Sequence, residues 1–332
     1  MVTTVACSGG SAEAGPHYFG GTKGIIATRA KELAGPNSAD NSASISGGFE
    51  PCAYRVPETG IYGVTFTPGS TNGNNLGAIN DPFVFKNDSI TAWDVAIRAN
   101  ATSTEDINGR LFTYAFVGST NGNSRPIYST HYYITNDGYR YQQDLRGLDP
   151  NGYALYANSF GFLDNGQPLY KDIRGNEALV TTLPVGVTTQ IAQYPIFFSD
   201  VSPNSANNTE VEQVLAALNI PLTPPSPTVS NLSFSGHFSG STTTVGAGGT
   251  FTFTTTNTIT YQVVVSRNGT DFDPRNVNNA VLTGIAGTGT HNINWDGRDN
   301  SGVNFPAGGP YTFRILGRNG EVHFPIIDAE NN

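Results

Sequence analysis

Two short loops each crowd together side-chain oxygens that could do chemistry. "NWDGRDNSG" (294–302) brings Asp296, Asp299 and Asn300 together, and "NGTDFDPRN" (268–276) brings Asp271, Asp273 and Asn276. Carboxylates so close in sequence suit either a calcium ion or a pair of tight turns. A calcium loop of the EF-hand type takes oxygen ligands at its first, third and fifth places, with Gly at the sixth. Counting from Asp296, the third place is Arg298, a cation, and in the other loop Pro274 and Arg275 interrupt the pattern. Turn chemistry asks less. Asp296 can accept from the backbone N–H of Gly297 or Arg298, and Asp299 and Asn300 can serve a second bend. Turns are therefore the first reading. A calcium site using Asp271, Asp273, Asp296 and Asp299 is the second.

A different chemistry is suggested by "IYSTHYYITNDGYRYQQDL" (127–145). Tyrosines on a β face can stack on sugar rings while nearby Asn and Asp hold hydroxyls. Asp137, Tyr139 and Tyr141, around the hairpin tip, are the candidate glycan-binding residues. The competing explanation is cross-strand packing of alternate tyrosines. Catalysis has little support. His17, His131, His237, His291 and His323 are scattered, with no H-x-x-x-H or H-E-x-x-H spacing. No G-x-S-x-G elbow occurs, and "GIAGTGTH" lacks the lysine of a phosphate-binding loop. Asp94, Glu105, Asp106, Asp137 and Asp144 are available as carboxylates, but sequence gives no distance between them. Cys7 and Cys52 form an even count that fits one disulfide of a secreted protein, with two buried thiols as the alternative.

The elements that would carry these residues are short and mostly β. "GGTKGIIATRA" reads as a strand, "EPCAYRVPETGIYGVTFTPG" as a hairpin turning at "PETG", and "SITAWDVAIRA" and "RLFTYAFVGSTNG" as further strands. Gly69–Asn74 and Gly118–Asn123 carry the same six residue types after β-like runs. Asn136-Asp137-Gly138 is a tight turn between two aromatic arms, and "LDPNG" (148–152) fits a type I turn. "YALYANSFGFLDNGQPLY" adds a strand and a turn at Asn165-Gly166. "TEVEQVLAALNI" is the one helix, with Val211, Val214, Leu215 and Leu218 at helical spacing and Thr209 as cap. "PLTPPSPT" (221–228) follows as a stiff linker. "TFTFTTTNTITYQVVVSRNG", "AVLTGIAGTGTHNINWDG", "GPYTFRILGRNG" and "EVHFPII" then read as the strands of a small sandwich.

The segment "WDGRDNSG…VNFPAGGPYTFRI" resembles the FlgD-type immunoglobulin-like domain, whose pattern is W-[DN]-G-x-[DN]-x-x-G followed by V-x-x-G-x-Y-x-[YF]. The match runs through Trp295, Asp296, Gly297, Asp299, Gly302, Val303, Pro306, Gly308, Tyr311 and Phe313, with one extra residue between Gly308 and Tyr311. It covers about the last hundred residues. The resemblance implies a C-terminal module of secreted or surface bacterial proteins and carries no catalytic residue. Upstream, "GGFEPCAYRVPETGIYGVTF" and "THYYITNDGYRYQQDLRGLDPNGY" resemble, more loosely, large repetitive bacterial extracellular proteins of unknown function, which implies location rather than activity.

Composition agrees with that setting. Of 332 residues only 13% are charged, Gly numbers 39 and Pro 20, and the net charge is -9. A turn-rich chain kept soluble by Ser, Thr and Asn is unlike a helical cytosolic enzyme, and an acidic surface repels nucleic acid. No apolar run is long enough to span a membrane, and "MVTTVACSGG" does not read as a signal peptide. The expectation is an all-β protein. An N-terminal β-sandwich region, jelly-roll-like, occupies 1–205, with a subdomain split near 100–108 as the alternative to one domain. A short helix and Pro-rich linker follow at 206–228, and an immunoglobulin-like sandwich at 229–332. The expected function is a non-catalytic structural or adhesive module, secreted or at the cell surface, whose partners are neighbouring copies or domains, or glycans. It needs no cofactor unless calcium stabilises it.

Overall fold

The structure is a computed structural model. It describes residues 3–6, 17–20, 28–35, 47–49, 54–64, 93–100, 103, 105–119, 124, 126–149, 152–159, 161–164, 167–168, 188–189, 192–238, 240–325 and 330–331. In chain order the strands are β1 (Thr3–Ala6), β2 (His17–Gly20), β3 (Phe112–Thr113), β4 (Ala115–Ser119), β5 (Ile127–Ile134), β6 (Arg140–Asp149), β7 (Gly152–Tyr156), β8 (Phe162–Asp164), β9 (Gln167–Pro168), β10 (Thr188–Thr189) and β11 (Ile196–Phe197). They continue as β12 (Val229–Gly236), β13 (Gly249–Thr255), β14 (Ile259–Ser266), β15 (Ala280–Ala286), β16 (Gly289–Trp295), β17 (Thr312–Arg318) and β18 (Glu330–Asn331). Two helices, α1 (Arg29–Ala34) and α2 (Asn208–Ala217), complete the described elements. The chain is all-β in class, as its patterning predicts. No described helix is long and apolar enough to cross a membrane.

The N-terminal unit is built on a five-stranded sheet ordered β18-β6-β5-β11-β3. Alternation along β5 sends Tyr133 to one face and Ile134 to the other, as a strand's two-residue period requires. On the first face Tyr133, Leu145 and Ile196 pack with Leu155 and Ala157, and Phe116 joins from the β4–β7 pair. On the second, Ile134 and Phe197 meet Val211 and Leu215 of α2. Burying each of those two helix side chains contributes roughly 1.5–3 kcal/mol. Arg110 anchors the helix from outside, its Nε 2.5 Å from Glu210. Arg140 donates to Val201 O and, at 2.7 Å, to Asn208 Oδ1. The helix expected between the domains thus belongs to the N-terminal core.

The C-terminal unit is a sandwich of two three-stranded antiparallel sheets, β12-β13-β16 and β15-β14-β17. Phe251 and Phe253 from one sheet close on Tyr261, Val263 and Val265 from the other, with Trp295 and Phe305 at one end. The outward side of β13 alternates as Thr250, Thr252 and Thr254.

Several sequence expectations need correction. Thr28 is not in a strand: its Oγ1 accepts from Lys31 N at 3.2 Å and caps α1, whose "RAKELA" is rich in helix formers. Residues 54–64 form no strand, although their text alternates. Ile61 and Val64 are 55% and 56% exposed, so no described sheet face buries them. Residues 93–100 likewise lack strand pairing, and Trp93 packs instead against Phe116 and Phe198. Asn207, not Thr209, is the N-cap of α2, and its side chain makes no capping bond. The described part of "EVHFPII", residues 321–325, is not a sandwich strand. Val322 and Phe324 pack into the N-terminal core, His323 bridges to Asn158, and β18 pairs with Leu148 and Asp149 of β6. Cys7, Cys52, the Gly69–Asn74 loop, residues 120–123 of its counterpart, and the turn residues Pro150-Asn151 and Asn165-Gly166 lie outside the described residues.

Candidate functional site

The hairpin carrying the candidate glycan residues closes as its residue types require. Thr135 N donates to Tyr139 O, and Gly138 N to Thr135 O, both at 2.9 Å. Gly138 sits at φ +88°, and a Cβ there would collide with the carbonyl oxygen of Pro221. Only glycine lets the proline-rich linker pass this close to the turn.

The tip is occupied by the chain itself. Asp137 Oδ2 accepts from Gly320 N at 3.0 Å. The Tyr139 hydroxyl donates to Asn319 Oδ1 at 2.7 Å, and Asn319 Nδ2 donates to Pro225 O at 2.6 Å. Tyr141 donates its hydroxyl proton to Gly320 O, and Tyr194 donates to Glu321 O at 3.3 Å. Glu321 continues the network, accepting from Thr260 through Oε2 and meeting His323 Nε2 through Oε1 at 2.7 Å. Gly320, at φ +74°, lies so close that any side chain would enter the Tyr139 ring. Asp137, Tyr139 and Tyr141 are therefore brought together, but as a clasp between the hairpin and the segment leaving β17. Burial, and then the nearby Asp137 carboxylate, push the Tyr141 hydroxyl up in pKa. Burial dominates the upward shift at Tyr194 as well, with Asp137, Glu321 and Tyr141 adding to it against a hydrogen bond from Ser159. Both phenols remain donors at neutral pH. Sequence reading did not find Asn319, Gly320 and Glu321. "RNGE" carries a turn signal, but nothing in it names a hairpin so distant in the chain.

The two acidic loops are also satisfied internally. Trp295, 7% exposed, donates its indole N–H to Arg298 O at 2.8 Å. Asp296 Oδ1 accepts from Arg298 N at 2.9 Å, which is the Asx turn its spacing allows. Asp299 is buried. Its Oδ1 accepts from Ser301 N, Ser301 Oγ and Val303 N at 3.0, 2.7 and 2.9 Å, and Arg267 Nη1 lies 3.5 Å from Oδ2. Burial alone would raise its pKa, but the bonds from Ser301 and Val303 and the Arg267 charge outweigh it and hold the carboxyl below its ordinary value.

In the neighbouring loop Asp271 Oδ1 accepts from Asp273 N, and Asp273 Oδ1 from Arg275 N, at 2.8 and 2.9 Å. The Asp273 amide leads the causes that lower the Asp271 pKa, and the Arg275 amide those that lower Asp273. Asn300 stitches the loops together, donating to Pro274 O at 3.0 Å and Asn276 O at 2.9 Å. Asn279, 1% exposed, braces the Asp271–Asp273 loop, donating to the carbonyls of Asp271 and Asp273 at 3.1 Å. Each of Asp271, Asp273, Asp296 and Asp299 thus accepts from protein donors through at least one carboxylate oxygen, and a guanidinium already faces the buried carboxylate. Among the described residues no group of three or more His, Cys, Asp or Glu side chains is placed to hold a metal ion.

His131 is buried. Its Nε2 lies 2.9 Å from Ser129 Oγ, its Nδ1 has no partner among the described residues, and burial pushes its pKa down. The ring stacks near Phe116, which also meets Trp93 and Phe198. It is an apolar setting for a neutral imidazole. No protein-family model, curated protein or solved structure matches the chain.

Proposed function

We propose that this chain is a non-catalytic structural or adhesive module of an extracellular bacterial surface, fibre or matrix assembly, with an FlgD-type immunoglobulin-like domain as its C-terminal unit. The observation that carries the reading is the clasp. The side chains best suited by type to ligand chemistry, Asp137, Tyr139 and Tyr141, are spent on joining one β unit to the next through Asn319 and Gly320. A joint with charged and phenolic hydrogen bonds, a proline linker and a returning C-terminal segment suits a part that transmits load between neighbours. The low charge and the Thr- and Asn-rich outer faces suit an extracellular setting. In this reading the Trp295 loop is a scaffold corner, and calcium is not required for it. Partners are further copies of the chain or adjoining domains, engaged through exposed sheet edges.

Sedimentation velocity across a concentration series, with and without calcium, tests the proposal. Concentration-dependent growth to large ordered species supports it, and growth that needs calcium would return Asp271, Asp273, Asp296 and Asp299 to consideration as ligands. A monomer throughout removes self-assembly as the role.

A further inference from the structure

A cleft of about 310 Å³ opens at one end of the C-terminal sandwich, lined among others by Ser235, His237, Thr250, Asn294 and Trp295. The register places Ser235 of β12 opposite Thr250 of β13, and Thr250 opposite Asn294 of β16. One polar row therefore crosses three strands, spanning roughly 10 Å at the usual inter-strand spacing. Thr250 Oγ1 donates to Asn294 Oδ1 at 3.0 Å. That bond occupies the amide oxygen, and the two N–H donors of Asn294 make no hydrogen bond among the described residues. The Ser235 hydroxyl and the His237 ring make no hydrogen bond among the described residues, and both are exposed. Beside His237 stands Phe238, 73% exposed, its ring edge-on to the imidazole at 5.0 Å.

These features select a ligand class. Among the described residues no Asp, Glu, Lys or Arg lines the cleft, so none of them neutralises a charged ligand there. The lining is too polar for a lipid chain. A compact, neutral molecule with hydroxyls on its rim and an apolar face meets both requirements, and a pyranose is such a molecule. The polar row also repeats. Thr252 donates to Asn292 at 2.8 Å, and the hydroxyls of Thr254 and Thr290 lie 3.0 Å apart. Successive rows are roughly 6.8 Å apart along the strands, so the outward face of β13 and β16 continues the cleft as a neutral hydroxyl and amide strip.

We propose that this cleft binds a neutral oligosaccharide. Ser235, Asn294 and His237 hydrogen-bond the hydroxyls of one sugar unit, and Phe238, exposed next to His237 and outside the cleft lining, stacks on the apolar face of the adjoining unit. Further units lie along the Thr252–Asn292 and Thr254–Thr290 rows. This site is distinct from the tyrosine hairpin, and it needs no assembly, since one copy contains it whole.

The test is isothermal titration calorimetry of the full chain against three neutral hexasaccharides: β-1,4-linked glucose, α-1,4-linked glucose and β-1,4-linked N-acetylglucosamine. Saturable binding of at least one is expected. Phe238→Ala and Asn294→Ala should each weaken it at least tenfold, and Tyr139→Phe should leave it unchanged. Both substituted side chains are exposed, so unaltered melting of the variants confirms that the fold is intact. Asn294→Asp, which keeps the shape but replaces the amide donors with acceptors, should weaken binding in the same way. Absence of binding by all three sugars, or binding untouched by the Phe238 and Asn294 changes, overturns the proposal. Sedimentation of the same samples reads the assembly state separately, so failure of either idea leaves the other standing.

Discussion

Asp299 shows how one carboxylate can organise a loop without being a ligand. It takes three donors on Oδ1 and faces Arg267 on Oδ2. Asp299→Ala would take the acceptor from the part-buried Ser301 and Val303 N–H groups and the buried carboxylate from Arg267, at a cost of about 1–3 kcal/mol in urea unfolding of the C-terminal unit. Its pH behaviour follows from the same contacts. Because the folded-state pKa lies below the ordinary value of about 3.9, the folded form binds fewer protons than the unfolded form in that range. Its contribution is fully present above the unfolded value and is lost as pH falls through the folded one. Asp271 and Asp273 shift in the same direction. Thermal melts from pH 6 to pH 2 should show a falling acid limb that Asp299→Asn makes shallower. An unchanged limb would mean the carboxylate carries no such linkage. At this scale, sequence is informative where the partner is local. Asp296 bonds two residues away, and its turn was legible. Asp137 bonds Gly320, 183 residues away, and its part in a clasp was not.

The elements divide in the same way. Asn136-Asp137-Gly138 between aromatic arms predicts the β5–β6 hairpin, because turn geometry is decided by those residues themselves. The alternation of β13 and the helical spacing of α2 were equally legible. Residues 54–64 carry an alternating pattern and form no strand, since alternation becomes a strand only when another element covers one face. "EVHFPII" has a strand-like composition that fits either unit. Its destination is decided by Phe324, whose ring meets Tyr133 edge-on at 4.7 Å. Phe324→Ala should therefore destabilise the N-terminal unit by about 2–3 kcal/mol, a partly buried case of aromatic truncation. Hydrogen exchange followed by mass spectrometry should show β5 and β6 losing protection while β13 and β14 keep theirs. Loss confined to the C-terminal strands would contradict the packing described.

Across the whole molecule, the two units are joined by the Pro-rich linker, the clasp at Gly320 and the returning segment that ends in β18. Removing the clasp hydroxyls with Tyr139→Phe and Tyr141→Phe leaves both cores intact and should free the linker. Proteinase K cleavage within residues 221–228 should accelerate several-fold, with little change in the melting of either unit. Equal cleavage rates would mean that the hydroxyls do not hold the joint. On the proposed reading, such clasped units serve an assembly. The most direct measurement is electron microscopy of the purified chain across a concentration series, with and without calcium, beside sedimentation velocity. Ordered fibres or sheets that lengthen with concentration, calcium or no calcium, are the expected result. A single monomeric species at every concentration would contradict it.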